Sequence, residues 1–314
     1  MARKKMILDL DTGVDDALAI AYALATPDAD LIGIASSYGN TLVDTAVENS
    51  LKLLELLGAT DVPVYRGLSH SSTTDNFETM QISMDIHGKN GIGDVELPTA
   101  KRPVEDASAV DFIIEAAHKY QDELIIVPTG PLTNLAAAME KDPEIVDLIG
   151  NITLMGGALT VPGNVTPYTE ANINQDPEAA DYVYKHAKHL VMVGLDVTLQ
   201  TLLTKNETQE WRDLGTEKGR VFADIFDYYI DAYDRLDINK NGAALHDPLA
   251  VGVAVDPKLV TLLPLNMMVT HDDGRVIGDP ERALDPVKTG FAAVEVDTPD
   301  YLDRFMNYTN NILG

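Results

Sequence analysis

The sequence predicts an α/β fold: a doubly wound, mostly parallel central sheet flanked by helices, with the active site at the carboxyl ends of its strands. Short, continuously apolar runs alternate with longer helical patterns along most of the chain, as parallel βαβ units require when both sheet faces are covered. The 314 residues are 45% hydrophobic, enough to bury a substantial core. Cysteine is absent, so no disulfide, thiolate metal site or cysteine nucleophile is available.

Each element follows from its local pattern. Met6–Leu10 reads as a buried strand and Asp15–Ala25 as a helix apolar nearly all round. Leu31–Ala35 is a second strand, and Leu42–Leu57 is an amphipathic helix that stops before Gly58. Val62–Tyr65 is a short strand interrupted by Pro63. Helix Glu105–Tyr120, strand Leu124–Val127, helix Leu132–Glu140, strand Ile152–Met155, helix Pro177–Ala187 and strand Leu190–Leu195 continue the alternation. Thr208–Asp237 is helical and aromatic, Leu262–Val269 and Gly290–Val296 read as late strands, and Pro299–Leu313 closes as a helix. Two irregular stretches break the rhythm, Ser69–Pro103 and Gly156–Asp176. Loops this long inside compact domains are usually functional. No internal repeat or separating linker is visible, so residues 1–314 are expected to form one domain.

Charge narrows the function. Lys and Arg number 23 against 50 Asp and Glu, a net charge of −27. Such a field repels nucleic acid and anionic lipid, and favours a neutral substrate over a phosphorylated one. The basic start, Met1-Ala2-Arg3-Lys4-Lys5, is followed by an apolar run that breaks at Asp9, too short for a signal peptide. No apolar stretch reaches the ~20 residues of a spanning helix. A soluble, cytoplasmic protein with a small-molecule substrate is expected.

The strongest local signal is Asp9-Leu10-Asp11-Thr12-Gly13-Val14-Asp15-Asp16, where the first strand meets its helix. Ligands of open α/β sheets bind at this edge. Strand alternation puts Asp9 and Asp11 on one side, and Gly13 permits a tight turn. Asp15 and Asp16 suit a helix N-terminus, where acids act as caps. Capping leaves Asp9 and Asp11 unexplained. Four crowded carboxylates call for a counter-charge, and an all-oxygen site suits Ca²⁺ or Mg²⁺. An EF-hand loop is excluded, because Gly13 falls one position early and position twelve is Ile20. A phosphatase of the haloacid dehalogenase type, with Mg²⁺, Asp9 as nucleophile and Asp11 as acid, is the alternative, although Gly13 stands where that family carries Thr or Val.

With this N-terminal motif the chain resembles the inosine–uridine-preferring nucleoside hydrolases. Further segments match in the family's order: Tyr38-Gly39-Asn40, His87-Gly88-Lys89-Asn90-Gly91-Ile92-Gly93, Pro128 to Asn134, Met155-Gly156-Gly157, Asn164, Glu170-Ala171-Asn172 and His246-Asp247-Pro248. The resemblance implies a Ca²⁺ held by Asp11, Asp16, Asp247 and the carbonyl of Thr129, which also takes the ribose hydroxyls and one water. It implies that Asp11 removes the water's proton, that water attacks the anomeric carbon, and that the transition state is oxocarbenium-like. Asp15, Asn40 and Asn172 would bond the ribose hydroxyls, Asn164 and Glu170 would lie near the 5′-hydroxyl, and Met155 would lie against the ribose. His246 would protonate the leaving base, with His87 a second candidate. Tyr229 and Tyr233, four residues apart on one helical face, would close over the base or else form a core stripe. Ala171 stands where some relatives carry an aromatic, which removes one stacking partner. Relatives of this kind imply nucleoside salvage and a homo-oligomer, dimer or tetramer. A catalytically silent nucleoside- or ribose-binding protein on the same scaffold is the third reading. His70, His118, His186, His189 and His271 match no motif and are expected at the surface.

Overall fold

The computed structural model describes residues 3–314. One nine-stranded sheet runs through it. Its order is Val260–Pro264, Gly290–Val296, Leu190–Val193, Asn151–Met155, Leu124–Pro128, Lys4–Leu10, Ala29–Ser36, Val64–Arg66 and Glu105–Ser108. Val260–Pro264 is antiparallel to its neighbour, and the other pairings are parallel. Lys4–Leu10 therefore lies between the second and fifth strands in chain order, where the winding reverses. That reversal opens a crevice beyond the strand ends.

Two cores cover the two sheet faces. Met6, Leu8 and Leu10 pack with helices Val14–Ala25, Val43–Leu57, Glu217–Arg235, His246–Val255 and Thr298–Leu313. Ile7 faces the other way, against helices Ala109–Tyr120, Thr133–Lys141 and Pro177–His186. Helix Val14–Ala25 is apolar all round because it is covered on every side; its ten residues Val14 to Ala23 are all buried. Trp211, Phe222, Phe226 and Phe305 fill the space between the late helices.

The expected alternation holds, with local departures. Glu105–Ser108 is an exposed edge strand, and the helix begins at Ala109, with the Ser108 hydroxyl accepting from the Asp111 amide. Strand Leu190–Val193 ends two residues early, and Leu195–Thr198 turns into a short helix capped by Gly194. The stretch Leu262–Val269 divides. Its first part lies in strand Val260–Pro264, while Met267–Val269 pairs with Val276–Gly278 in a separate antiparallel ribbon. The long stretch 69–103 contains a helix, Gln81–His87, whose last turn brings His87 inward. None of the helices among the described residues is long and apolar enough to cross a membrane.

Candidate active site

A cleft of about 410 Å³ lies beyond the carboxyl ends of strands Lys4–Leu10, Leu124–Pro128 and Asn151–Met155. Twelve residues expected from the sequence line it: Asp15, Asn40, His87, Thr129, Met155, Asn164, Glu170, Asn172, Tyr229, Tyr233, His246 and Asp247. They come from across the chain: Asp15, Asn40, Thr129, Met155, Asn172, His246 and Asp247 lie at strand ends or helix starts, while His87 ends a helix and Tyr229 and Tyr233 lie within one.

The floor is built by the turn after the first strand. Gly13 caps helix Val14–Ala25, and its amide donates to Asp16 Oδ2 at 2.7 Å, so Asp16 is both a cap and a site carboxylate. Gly13 has φ −91°, which other residues adopt; crowding, not turn geometry, excludes a side chain there. A Cβ on Gly13 would stand 2.6 Å from His87 Nδ1 and 2.7 Å from Asn40 Nδ2. The Thr129 hydroxyl donates to Asp16 Oδ1 at 2.7 Å. Asp11 accepts the Asn40 amide at 2.6 Å and the Asn40 side-chain amide at 3.1 Å.

Oxygens of Asp15, Asp16 and Asp247 gather within 4.8 Å of one another, all three residues buried. Asp15 Oδ1 and Asp247 Oδ2 have no hydrogen-bond partner. Burial pushes the carboxyls of Asp11, Asp15, Asp16 and Asp247 above their ordinary range, and repulsion among them adds to this at Asp11, Asp15 and Asp247. Buried, like-charged and partly unpartnered oxygens fit a hard divalent cation. The converging three include Asp15, expected on the ribose, while Asp11 sits beside Asp16 with Asn40 on both of its oxygens. The Thr129 carbonyl accepts Asn172 Nδ2 at 2.8 Å.

Asp9 does not join this group. The strand ends at Leu10, so alternation does not carry into the turn, and Asp9 follows Ile7 toward helix Thr133–Lys141. Asn134 Nδ2 donates to its Oδ1 at 2.8 Å, and burial pushes its carboxyl up to about 7 against that hydrogen bond. Asp9, Asp11 and Asp16 all lie beneath the cleft lining, but Asp11 and Asp16 bond to the lining residues Asn40 and Thr129, whereas the side-chain partner of Asp9 is Asn134, away from the cleft, which leaves the nucleophile of the phosphatase reading without access to substrate.

One wall is a hydrogen-bonded chain of side chains. His246 Nδ1 meets the Thr198 hydroxyl at 2.8 Å, His246 Nε2 meets the Tyr233 hydroxyl at 2.9 Å, and Tyr233 donates to the Tyr229 hydroxyl at 3.2 Å. The aromatic pair on helix Glu217–Arg235 is thus both buried and cleft-lining. Burial pushes His246 down to about 4. Burial and then repulsion from His246 push His87 down to about 3. His87 Nδ1 accepts the Val14 amide at 3.2 Å, which leaves Nε2 to carry the proton.

The opposite wall holds Glu170 and Asn172. Glu170 caps helix Ala171–Gln175, accepting the amides of Asn172, Ile173 and Gly157 at 3.0, 3.3 and 2.9 Å. Burial still outweighs those bonds and raises its carboxyl. Asn164 Oδ1 accepts the Ala171 amide at 3.0 Å. Four of the five unassigned histidines are exposed, as expected, and His70 is half-buried.

Sequence reasoning missed the apolar mouth, formed by Met80, Ile82, Ile86, Leu199, Leu236 and Ile238. The four-residue spacing of Ile82 and Ile86 was the available signal, but it lay inside a stretch read as irregular. Thr198 was missed too, since nothing local marks a partner for His246.

The comparisons agree with this geometry. Residues 6–303 match the family model described as inosine-uridine preferring nucleoside hydrolase. A probable uridine nucleosidase 2 of Arabidopsis thaliana is 39% identical over 82% of this chain and 80% of its own length. The pyrimidine-specific ribonucleoside hydrolase RihA of Escherichia coli is 34% identical over 82% and 81%. The solved structure of a purine-preferring ribonucleoside hydrolase from Gardnerella vaginalis is 57% identical, covers 99% of both chains and superposes with a TM-score of 0.97. This chain belongs to the inosine-uridine preferring nucleoside hydrolase family and is a ribonucleoside hydrolase.

Proposed function

We propose that this hydrolase splits the N-glycosidic bond of ribonucleosides into ribose and free base with the help of a bound Ca²⁺, in the service of nucleoside salvage. The observation that supports the metal is the orphaned Asp247 Oδ2 beside Asp16 at the cleft floor, with the orphaned Asp15 Oδ1 next to them free for the ribose. Asp11, Asp16, Asp247 and the Thr129 carbonyl would hold the ion. When bound, it supplies a Lewis acid that makes a water more acidic and orients the ribose diol.

The side chains do the rest. Asp11, fixed by Asn40, takes the proton of the attacking water. Asp15, Asn40 and Asn172 bond the ribose hydroxyls, Asn164 and Glu170 meet the 5′-hydroxyl, and the Met155 thioether lies against the sugar. Positive charge then grows on the ribose beside carboxylates that stabilise it more than the neutral ground state. On the base side, protonated His246, held by the Thr198 hydroxyl, gives its proton to the leaving base through the Tyr233 and Tyr229 hydroxyls, with His87 as a second donor.

The base preference we propose is for purines. A bicyclic base covers more of the apolar mouth at Ile82, Ile86, Leu199 and Ile238 than a single ring does. The 57% identical hydrolase prefers purines as well. Reducing-sugar release from inosine, adenosine, uridine and cytidine, with Ca²⁺ and with a chelator, tests both parts. Release abolished by the chelator and about tenfold higher in kcat/KM for inosine than for uridine is expected. Release that persists without divalent cation would overturn the metal reading, and equal or greater activity on uridine would overturn the base preference.

A further inference from the structure

We propose that the antiparallel ribbon Met267–Val269 and Val276–Gly278 is a brace for the cleft wall that meets the 5′ end of the sugar, and that Arg275 is its positioning residue. The proposal rests on the reading that Asn164 and Glu170 face the 5′-hydroxyl.

The wall cannot hold itself. Residues 162–168 are exposed or half-buried, and burial begins only at Thr169 and Glu170. Internal support is limited to turn bonds such as Val165 amide to Thr169 carbonyl at 3.2 Å and Gly163 amide to Pro167 carbonyl at 3.3 Å. A segment with so little buried contact opens easily unless something outside it holds it.

Three consecutive ribbon residues provide that hold. Gly274 has φ +63°, and a Cβ there would stand 2.7 Å from the Thr169 hydroxyl, so the turn seats directly on the residue before Glu170. The Arg275 guanidinium lies 4.1 Å from the centre of the Tyr168 ring. Val276 Cγ2 approaches within 3.0 Å of where Gly157 would carry a Cβ, and the Gly157 amide donates to Glu170 Oε2. Among the described residues Arg275 has no carboxylate at salt-bridge distance, in a chain with 50 acids to 23 bases. Its cation is spent on an aromatic face.

The brace is anchored at its other end. Asp181 on helix Pro177–His186 accepts the Val269 amide at 3.0 Å and pairs with His271 Nε2 at 3.0 Å. Thr270 donates its amide to the Arg275 carbonyl at 3.0 Å and closes the turn between them. A path therefore runs from the buried Asp181, through the ribbon, to Tyr168 and Thr169 and so to Glu170 and Ala171, whose amide meets Asn164 Oδ1.

The test compares inosine with 5′-deoxyinosine. Wild type is expected to favour inosine. Arg275→Ala should raise KM for inosine about two- to fivefold, the worth of an exposed cation–π contact, with kcat and Tm held and 5′-deoxyinosine unaffected. Tyr168→Leu should reproduce the effect, the double variant should be no worse than either single one, and Arg275→Lys should restore KM, because an ammonium also sits over the ring. Equal losses on both substrates, or a Lys variant no better than Ala, would overturn the brace while leaving the 5′ reading intact. A wild type that treats the two substrates alike would overturn the 5′ reading, and the brace with it.

Discussion

Asp11 and Asp16 show how one short motif carries two duties. Asp16 ties the Gly13 amide and the Thr129 hydroxyl, which fixes the helix start against the strand end, while its charge belongs to the cation site. The Asp11 side chain bonds only to Asn40, and the Thr41 hydroxyl on its backbone carbonyl survives substitution, so removal of the carboxyl should harm chemistry and spare the fold. For Asp11→Ala we expect kcat to fall by about a thousandfold or more, by loss of the proposed general base. In chelator its Tm should match or exceed that of wild type, because one of four buried, mutually repelling carboxylates is gone. Calorimetry in chelator checks the sign; a much lower Tm would make Asp11 structural. Tyr233 offers a second residue-scale test. Tyr233→Phe keeps the ring packing but cuts the hydroxyl path between His246 and Tyr229. Its kcat on inosine should drop about ten- to a hundredfold, within the range of general acid catalysis. A ribosyl substrate whose leaving group needs no proton, such as p-nitrophenyl riboside, should lose far less. Equal losses on both would assign Tyr233 to packing.

Elements were legible where periodicity was strong and obscure where tertiary packing decided. Leu124–Val127 is wholly apolar, and Met6–Leu10 and Ile152–Met155 are broken only by Asp9 and Thr153, so burial on both faces was written in them. Glu105–Ser108 carries no such pattern; four exposed residues become a strand only because an edge was free. The ribbon was equally hidden, since Met267–Val269 runs on from a real strand and changes partner only after Pro264. The site's polar residues were legible as ordered motifs, but its apolar mouth depended on helix Gln81–His87 folding inside a polar stretch. The ribbon's anchor gives an element-scale prediction. Burial raises the Asp181 carboxyl, yet hydrogen bonds from Lys185, the Val269 amide and His271 more than offset this and hold it below the usual range. A lowered folded pKa stabilises above the unfolded value near 4 and is lost as pH falls through the folded value. Asp181→Asn should therefore cost about 1 kcal/mol at pH 7, a figure reduced because its partners Lys185 and His271 are exposed, and a degree or two in Tm. Melting curves of the two proteins should converge near pH 3; a gap that persists there would show that the charge is not what matters.

At the scale of the whole molecule, the net charge of −27 and the four buried carboxylates of the floor act together. The turn, strand ends and helix start that carry these groups join both sheet-facing cores, so strain at the floor is felt by the whole fold. The proposed divalent cation would relieve it locally and, by binding only the assembled site, would stabilise by mass action, about 2.7 kcal/mol at a hundredfold excess over Kd. Monovalent salt relieves only the exposed charges, which it screens within about 8 Å at physiological strength. The two effects are separable. Calcium at fixed ionic strength should raise Tm by several degrees in wild type and far less in Asp247→Asn, whose floor has lost one of its converging oxygens. Added sodium chloride should raise both proteins alike, since the surface charge is nearly the same. If calcium and an equal ionic strength of sodium chloride gave the same rise in both proteins, the stabilisation would be general screening, and the converging oxygens of Asp15, Asp16 and Asp247 would not be a cation site.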